Sequence, residues 1–289
     1  MHEHSVYIDN RVFPATDNAV PHYEKGVLWY TFPALDEYGC RLRHGFSSRL
    51  GGVSSGSGLD SLNLGIGRGD TPENVAENYS RFGAAAGFDP AHTVFTWQDH
   101  HTCLREAVSA DLGKGLLRQR DYQSVDGLWT AQREVTLIAH FADCTPLFFY
   151  APDRHIAAVS HAGWRGTCAH MAGISVCCLQ QQGCDPRQLI AVIGPSAGPG
   201  RYQVDTACAA HFAGFADEQG PVFRPDPACP DHYLLDLWRA NRVSLLRAGV
   251  LPEHISIAGL CTISHPDIFY SHRVQGNARG SLAGFITLL

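Results

Sequence analysis

No stretch of the 289 residues approaches the roughly 20 apolar positions that a membrane-spanning helix needs. The first residues, MHEHSVYIDNRVFP, contain no apolar signal core. No basic block is present either: the 22 Lys and Arg are scattered and the formal net charge is -6. Nucleic acid and anionic membrane are bound through clustered positive charge, so neither is an expected partner. Internal repeats and long linkers are also missing. These absences leave a soluble cytoplasmic protein as the expectation. The ten cysteines sit at irregular spacings without an extracellular context, which reads as thiols rather than a disulfide framework. Cys177 and Cys178, as chain neighbours, cannot form an ordinary bridge with each other. What the chain does have is apolar mass: hydrophobic residues make up 45%, enough for a sizeable core in one large domain or two modest ones.

Four helices are signalled. Thr71 caps the first, with Pro72 at its first position and Gly87 as its stop. A second is expected to start near Gly166 and run to Gly183. A third starts near Asp205, and a fourth runs from Asp236 to Gly249. The remainder reads as short strands: VLWYTF, TVFTW, EVTLIAHF, PLFFYA, HIAAVSH, QLIAVIG, HISIAG and DIFYS. Several strands precede the first crossover helix, which suggests a mixed sheet with helices outside it rather than alternating α/β units. Glycine and serine are densest in GGVSSGSGLDSLNLGIGRGD, residues 51–70, and on composition this is a flexible surface loop.

The segment FADCTPLFFYAPDRHIAAVSHAGWRG, residues 141–166, carries polar chemistry at both ends of an apolar hairpin. With Pro152–Asp153 as a two-residue loop, Cys144 lies opposite His161. Directly opposed residues have Cβ atoms about 4.5–5.5 Å apart, a separation that suits two ligands of one metal ion. A slip of one residue would break the arrangement. The third ligand would come from TWQDHHT, where spacing does not choose between His100 and His101. Three protein ligands with an open fourth position is the pattern of a catalytic zinc. The same spacing also fits a buried thiol and a hydrogen-bonded strand-end histidine.

Anion-binding candidates lie in three places. HAGWRGT puts Arg165 at a helix start, where free N–H groups and the dipole favour an anion; a packing tryptophan in a strand–helix turn is the plainer reading. In SSRLGG, Arg49 sits beside Gly51 and Gly52, which let backbone approach a ligand. SHRVQGNARG offers Arg273 and Arg279, or simply a solvated basic tail.

Taken in order, HGFSSRLGGVSSG, SLNLGIGRGD, VAEN, WQDHH, VDGLWT, ADCTPL, HAGWRGT, IGPSAGPGRYQVD, LDLWRAN, CT and FYSHR resemble the YfiH-type or laccase-domain family. That family is named for polyphenol oxidase and peptidoglycan editing and is regarded as purine nucleoside phosphorylases. The resemblance runs from about residue 41 to the C-terminus. It implies an α+β fold, a single domain over 1–289 of two packed mixed β-sheets flanked by helices, with 1–40 as a less typical N-terminal extension. It implies zinc held by His100, Cys144 and His161, and thereby selects His100 over His101. It also implies phosphorolysis of adenosine, inosine, guanosine and methylthioadenosine, with adenosine deamination besides. The chain departs from the family pattern at His101, where glycine is usual, at Arg201 (cysteine) and Gln203 (an acid), and at NARG in place of TGR. These departures spare the ligands and bear on substrate preference.

Bound zinc suits either activation of water for deamination or polarisation of substrate groups. Phosphorolysis needs phosphate placed beside the sugar, which arginines can do. The expected assignments are Arg49 and Asp143 in catalysis, Asp143 acting as a base or as an acceptor orienting a ligand. Asn63, Arg165 and Arg273 are expected to bind substrate, nucleoside or phosphate. Two rivals stay open. Cys144, His161 and Asp143 also compose a cysteine hydrolase. A metal-bound factor editing peptidoglycan precursors in cell-wall quality control is the other, and as a partner module it would tolerate loss of Arg49. A multicopper oxidase is not expected: the chain has one adjacent histidine pair, His100–His101, and one His-x-His, His2 and His4.

Overall fold

Every residue of strand Thr145–Ala151 is buried, as expected of a strand covered on both faces. Its alternate side chains enter two different cores. Phe148 and Tyr150 pack with Tyr30, Phe46 and Leu137. Leu147, Phe149 and Ala151 pack with Met171, Val176 and Leu179 of helix Met171–Gln181. The computed structural model, which describes residues 2–289, shows why. Two six-stranded sheets share the first core, and helices cover their outer faces.

The first sheet runs, in spatial order, Val20–Glu24, Val27–Thr31, Leu42–Ser47, Leu282–Leu288, Thr136–Phe141 and Thr93–Phe95. The second runs Ile255–Ile257, Ile190–Ile193, Thr145–Ala151, Ile156–Ala162, Gly127–Thr130 and Leu104–Glu106. Both are mixed, because edge strands join in parallel: Thr93–Phe95 on the first sheet, Ile255–Ile257 and Leu104–Glu106 on the second. Helix Pro72–Ala86 lays Tyr79 and Phe82 on Trp29, Ile138 and Phe285 of the first sheet. Helices Met171–Gln181 and Leu237–Arg247 cover the second. This is the α+β arrangement of two packed mixed sheets flanked by helices.

Several local expectations are corrected. The hairpin loop is Pro152–His155 rather than two residues, so Pro146, not Cys144, pairs with His161. The second helix starts earlier and is broken: Trp164–Cys168 is followed by His170 in the left-handed region (φ 61) and then by Met171–Gln181. The third helix is only Thr206–Ala210. DIFYS is not a strand. Turn bonds from Ile268 and Phe269 to the His265 carbonyl hold it as a buried corner, with Ile268, Phe269 and Tyr270 in the inter-sheet core. Strands Leu42–Ser47 and Leu282–Leu288 were not read from the sequence, yet they pair at the centre of the first sheet. Within residues 1–40, Val27–Thr31 is a wholly buried strand of that sheet.

The glycine-rich segment 51–70 is held, not loose. Asn78, buried in helix Pro72–Ala86, accepts from the Val53 amide (2.8 Å) and donates to Ser54 Oγ (2.7 Å) and the Asn63 carbonyl (2.8 Å). A Cβ at Gly52 would lie 2.1 Å from the Ser61 carbonyl oxygen, so the close approach glycine permits here is to the chain itself. Replacing Asn78 by Ala strands these partners in a dry setting. The expected loss is about 2–3 kcal/mol of stability, read as a lower urea midpoint; an unchanged midpoint would show that the segment orders without this side chain.

Candidate functional site

The chain passes from the first sheet to the second through Ala142, Asp143 and Cys144, between strands Thr136–Phe141 and Thr145–Ala151. Asp143 takes a left-handed backbone (φ 78), and two adjacent side chains then serve different ends. The Asp143 carboxylate accepts from Thr262 Oγ1 (2.7 Å), Ser271 Oγ (2.9 Å) and the Arg273 amide (2.7 Å). Cys144 faces the opposite way, toward His100 and His161. The donor atoms of these three residues all lie within 4.8 Å of one another, and the two imidazole rings are 4.9 Å apart between centroids. The hairpin register differs by two residues from the expected one. Because side chains alternate with period two, Cys144 and His161 still share a face, now diagonally, a span long side chains can bridge.

Gly163 is the residue across from Cys144 in this register. A Cβ there would lie 2.8 Å from His100 Nδ1 and 3.0 Å from Cys144 Sγ. The glycine of HAGWRG is thus what lets the three donors converge.

His161 Nδ1 donates to Asp126 Oδ1 at 2.8 Å. That bond fixes the ring and leaves Nε2 for the cluster. Asp126 is fully buried and also accepts from the backbone amides of Asp99, His100 and His101, each at 3.1 Å. His100 is held there with φ 68. Burial alone would push the His161 pKa down; the neighbouring Cys144 sulfur and the Asp126 carboxylate outweigh it and raise the value to about 9. Burial, with His161 next to it, lowers His100. His101 points away and pairs with Asp99 at 2.8 Å.

The cluster lies between two lobes of one cleft that share Arg68, His100, Ala142, Cys144 and Arg279. One lobe, about 430 Å³, is walled by Trp164, Tyr202 and Leu237, with Arg165 and Arg273 beside them. The other, about 200 Å³, is lined by Trp97, Gln98, Arg120 and His140. Arg165 stacks on Trp164 at 4.3 Å and Arg273 on Tyr202 at 5.0 Å.

Not every expected residue arrives here. Arg49 lines neither lobe. Its Nε donates to the Asp60 carbonyl (2.8 Å), its guanidinium to the Pro266 carbonyl (2.7 Å), and it stacks on Tyr270 at 4.7 Å. It ties the glycine-rich segment to the buried corner. Asn63 is fully buried behind the wall, where its side-chain Oδ1 accepts from the Gly65 and Ser281 amides (2.9 and 3.0 Å); it shapes the smaller lobe without lining it. The carboxylate facing His161 is that of Asp126, not Asp143. Asp126 stands in VDGLWT, and no local spacing marks it as the histidine's partner. Of the positions where the chain departs from the family pattern, Gln203 bonds Asp226 (2.6 Å) and accepts from Arg273 through its carbonyl (2.7 Å).

Two imidazoles and one sulfur suit zinc or a blue-copper ion. Met171, the one methionine among the described residues, packs in the core under helix Met171–Gln181, so no axial thioether is at hand. Among the described residues this is the one His, Cys and acid group able to hold a metal ion. The donors fit a single metal, not a multicopper centre.

Residues 43–289 match the family described as multi-copper polyphenol oxidoreductase laccase. The chain is 34% identical over 256 residues to the purine nucleoside phosphorylase YlmD of Bacillus subtilis (strain 168), covering 84% of this chain and 87% of that one. It is 33% identical over 252 residues to the purine nucleoside phosphorylase LACC1 of Homo sapiens, covering 85% of this chain but 55% of that longer protein. The crystal structure of YlmD from Geobacillus stearothermophilus superposes with a TM-score of 0.83 at 31% identity, over 93% of this chain and 99% of that one.

Replacing Cys144 by Ala is expected to remove most bound metal from freshly purified protein while the circular dichroism spectrum stays unchanged, since a small thiol contributes little packing. Gly163→Ala should do the same by forcing His100 and Cys144 apart. Full metal content in Cys144→Ala, read by elemental analysis, would place the metal elsewhere.

Proposed function

Because the chain belongs to the multi-copper polyphenol oxidoreductase laccase family, we propose its reaction from the site rather than from that description: zinc-dependent phosphorolysis of purine nucleosides. Adenosine, inosine, guanosine and methylthioadenosine are the substrate set, with adenosine deamination as a second activity of the same centre. The observation that carries this reading is one His–Cys–His cluster set between a lobe walled by Trp164 and Tyr202 and a smaller one, with arginines lining both. The name purine nucleoside phosphorylase borne by relatives supports it.

His100, Cys144 and His161 would hold the zinc, which supplies a Lewis acid when bound. Trp164 and Tyr202 give a purine two faces to lie against, with Arg165 and Arg273 as hydrogen-bond donors at its edge. Asp143 is a positioning residue in this reading. It fixes the Arg273 amide and so aims that side chain across the Tyr202 ring. Asp126 orients His161, and the walls exclude water from a bond that would otherwise hydrolyse. Breaking the bond between sugar C1′ and purine nitrogen while an oxygen of phosphate bonds C1′ requires both partners in register, which an enclosed two-lobed cleft provides.

A cysteine hydrolase remains the rival with a structural observation of its own, the Cys144–His161–Asp126 series. It would act without metal. Editing of peptidoglycan precursors would show in a different substrate.

Inosine with phosphate is expected to yield hypoxanthine and ribose 1-phosphate, identified by chromatography and mass spectrometry. Removing zinc with a chelator should lower the rate on the order of 100-fold or more, and zinc should restore it. Adenosine should give adenine by the first route and inosine by the second. Free ribose formed at a rate indifferent to phosphate would sink the phosphorylase and favour the hydrolase.

A further inference from the structure

Several arginines elsewhere in this molecule are occupied. Arg105 pairs with Asp111 and Arg239 with Asp217. Arg49, whose neighbouring glycines suggested an anion site, spends its donors on backbone carbonyls. Three arginines meet at the smaller lobe without a carboxylate beside them. Arg68, Arg120 and Arg279 all line it, and no Asp or Glu does. Among the described residues none of the three forms an ion pair or a side-chain bond to a carboxylate. Arg68 is exposed at the rim. Arg120 lies over the Trp97 ring at 4.4 Å and donates to the Thr96 carbonyl. Arg279 donates to the Gly280 carbonyl (3.0 Å) and Ser281 Oγ (3.3 Å), while its Nε is buried with no partner.

Converging like charges with no carboxylate among the lining residues is unfavourable. Burial and then the adjacent Arg68 lower the Arg279 pKa, outweighing Cys144 and Asp143, which act the other way. Burial, reinforced by Arg120 and Arg68, keeps His140 neutral, its pKa lowered to about 3. In a chain of net charge -6, such a lobe is a local exception that focuses positive potential at one mouth. A small oxyanion of high charge relieves it, and the planar forks of guanidinium match tetrahedral phosphate oxygens.

We propose that Arg68, Arg120 and Arg279 form the site for inorganic phosphate in the smaller lobe, with Arg68 and Arg279 at its junction with the aromatic lobe. That this phosphate is the attacking co-substrate rests on the phosphorylase reading; that the lobe binds phosphate does not. In phosphorolysis the bound oxyanion gives an oxygen to C1′ as the purine leaves, with the proton going to the departing base, so no further reactant is needed.

The test titrates inorganic phosphate into the zinc-loaded protein by calorimetry and measures both KM values with inosine. Arg68→Gln is expected to weaken phosphate binding and raise its KM about 10-fold, and Arg68→Gln with Arg120→Gln about 100-fold. The KM for inosine should stay within about two-fold. Arg120→Lys should restore part of the loss, which a purely structural role would not require. Arg49→Gln should leave phosphate binding alone. Unchanged phosphate affinity and KM in the folded double variant would overturn the proposal, as would binding of adenosine 5′-monophosphate but not of inorganic phosphate. If the wild-type protein binds phosphate, the variants lose it, and inosine is never cleaved, the anion site stands and the phosphorylase falls. If cleavage proceeds normally in the double variant, the reverse holds.

Discussion

One buried carboxylate holds the centre together. Asp126 has no exposed surface, so its charge must be met in full by protein donors. It receives the His161 ring and three consecutive amides, those of Asp99, His100 and His101. Its own carbonyl accepts from the His161 amide at 2.7 Å. Through this residue the loop after one sheet's edge strand is fastened to the central hairpin of the other. The left-handed backbone at His100 is strained for a residue with a side chain, and the three amide bonds stabilise it where it brings the imidazole over Cys144. Removing the carboxylate would release the loop, free the His161 tautomer and uncover the strain together.

The meeting of Cys144 and His161 was legible in the sequence for a reason that tolerated an error. A hairpin of two apolar runs constrains parity more firmly than loop length. The loop is four residues, not two, and the pairing moves accordingly, but a slip of two leaves every side chain on its face. Cys144 and His161 therefore meet even though they are not opposite each other. What the slip does change is the residue that faces Cys144: Gly163 rather than His161, and only a residue without a side chain leaves room for His100. Helix caps at Thr71, Asp205 and Asp236 were similarly readable, because each bonds within its own first turn.

What could not be read is what depends on long-range pairing. Asp126 is far in sequence from the histidine it orients and carries no local signature. Arg68, Arg120 and Arg279 come from three separate loops, gathered only when Leu282–Leu288 inserts between Leu42–Ser47 and Thr136–Phe141. That C-terminal strand, absent from the strands expected of the sequence, carries the middle of the first sheet. Arg49 misled in the opposite direction. Its neighbouring glycines do permit close backbone approach, but the approach is to Ser61 and to strand Val27–Thr31, so a rule about ligands was satisfied by the fold.

Asp143 and Cys144 show how frame and site are joined. A left-handed turn at Asp143 sends two neighbouring side chains to opposite tasks. Asp143 secures Thr262, Ser271 and the Arg273 amide, and with them the C-terminal segment that carries both Arg273 and Arg279. Cys144 joins His100 and His161. Because the peptide between them is rigid, the position of the sulfur and that of the C-terminal arginines are set by one geometric choice at the crossing between the sheets. An aspartate inside an apolar run is unfavourable for a strand, and here the strand has not yet begun: the charge sits at the crossing, met by three donors from the segment it holds, and the apolar hairpin follows from Thr145 onward. The cleft thus has a floor anchored to the inter-sheet core, and the C-terminal segment that carries Arg273 and Arg279 into it hangs from the residue that makes the same turn.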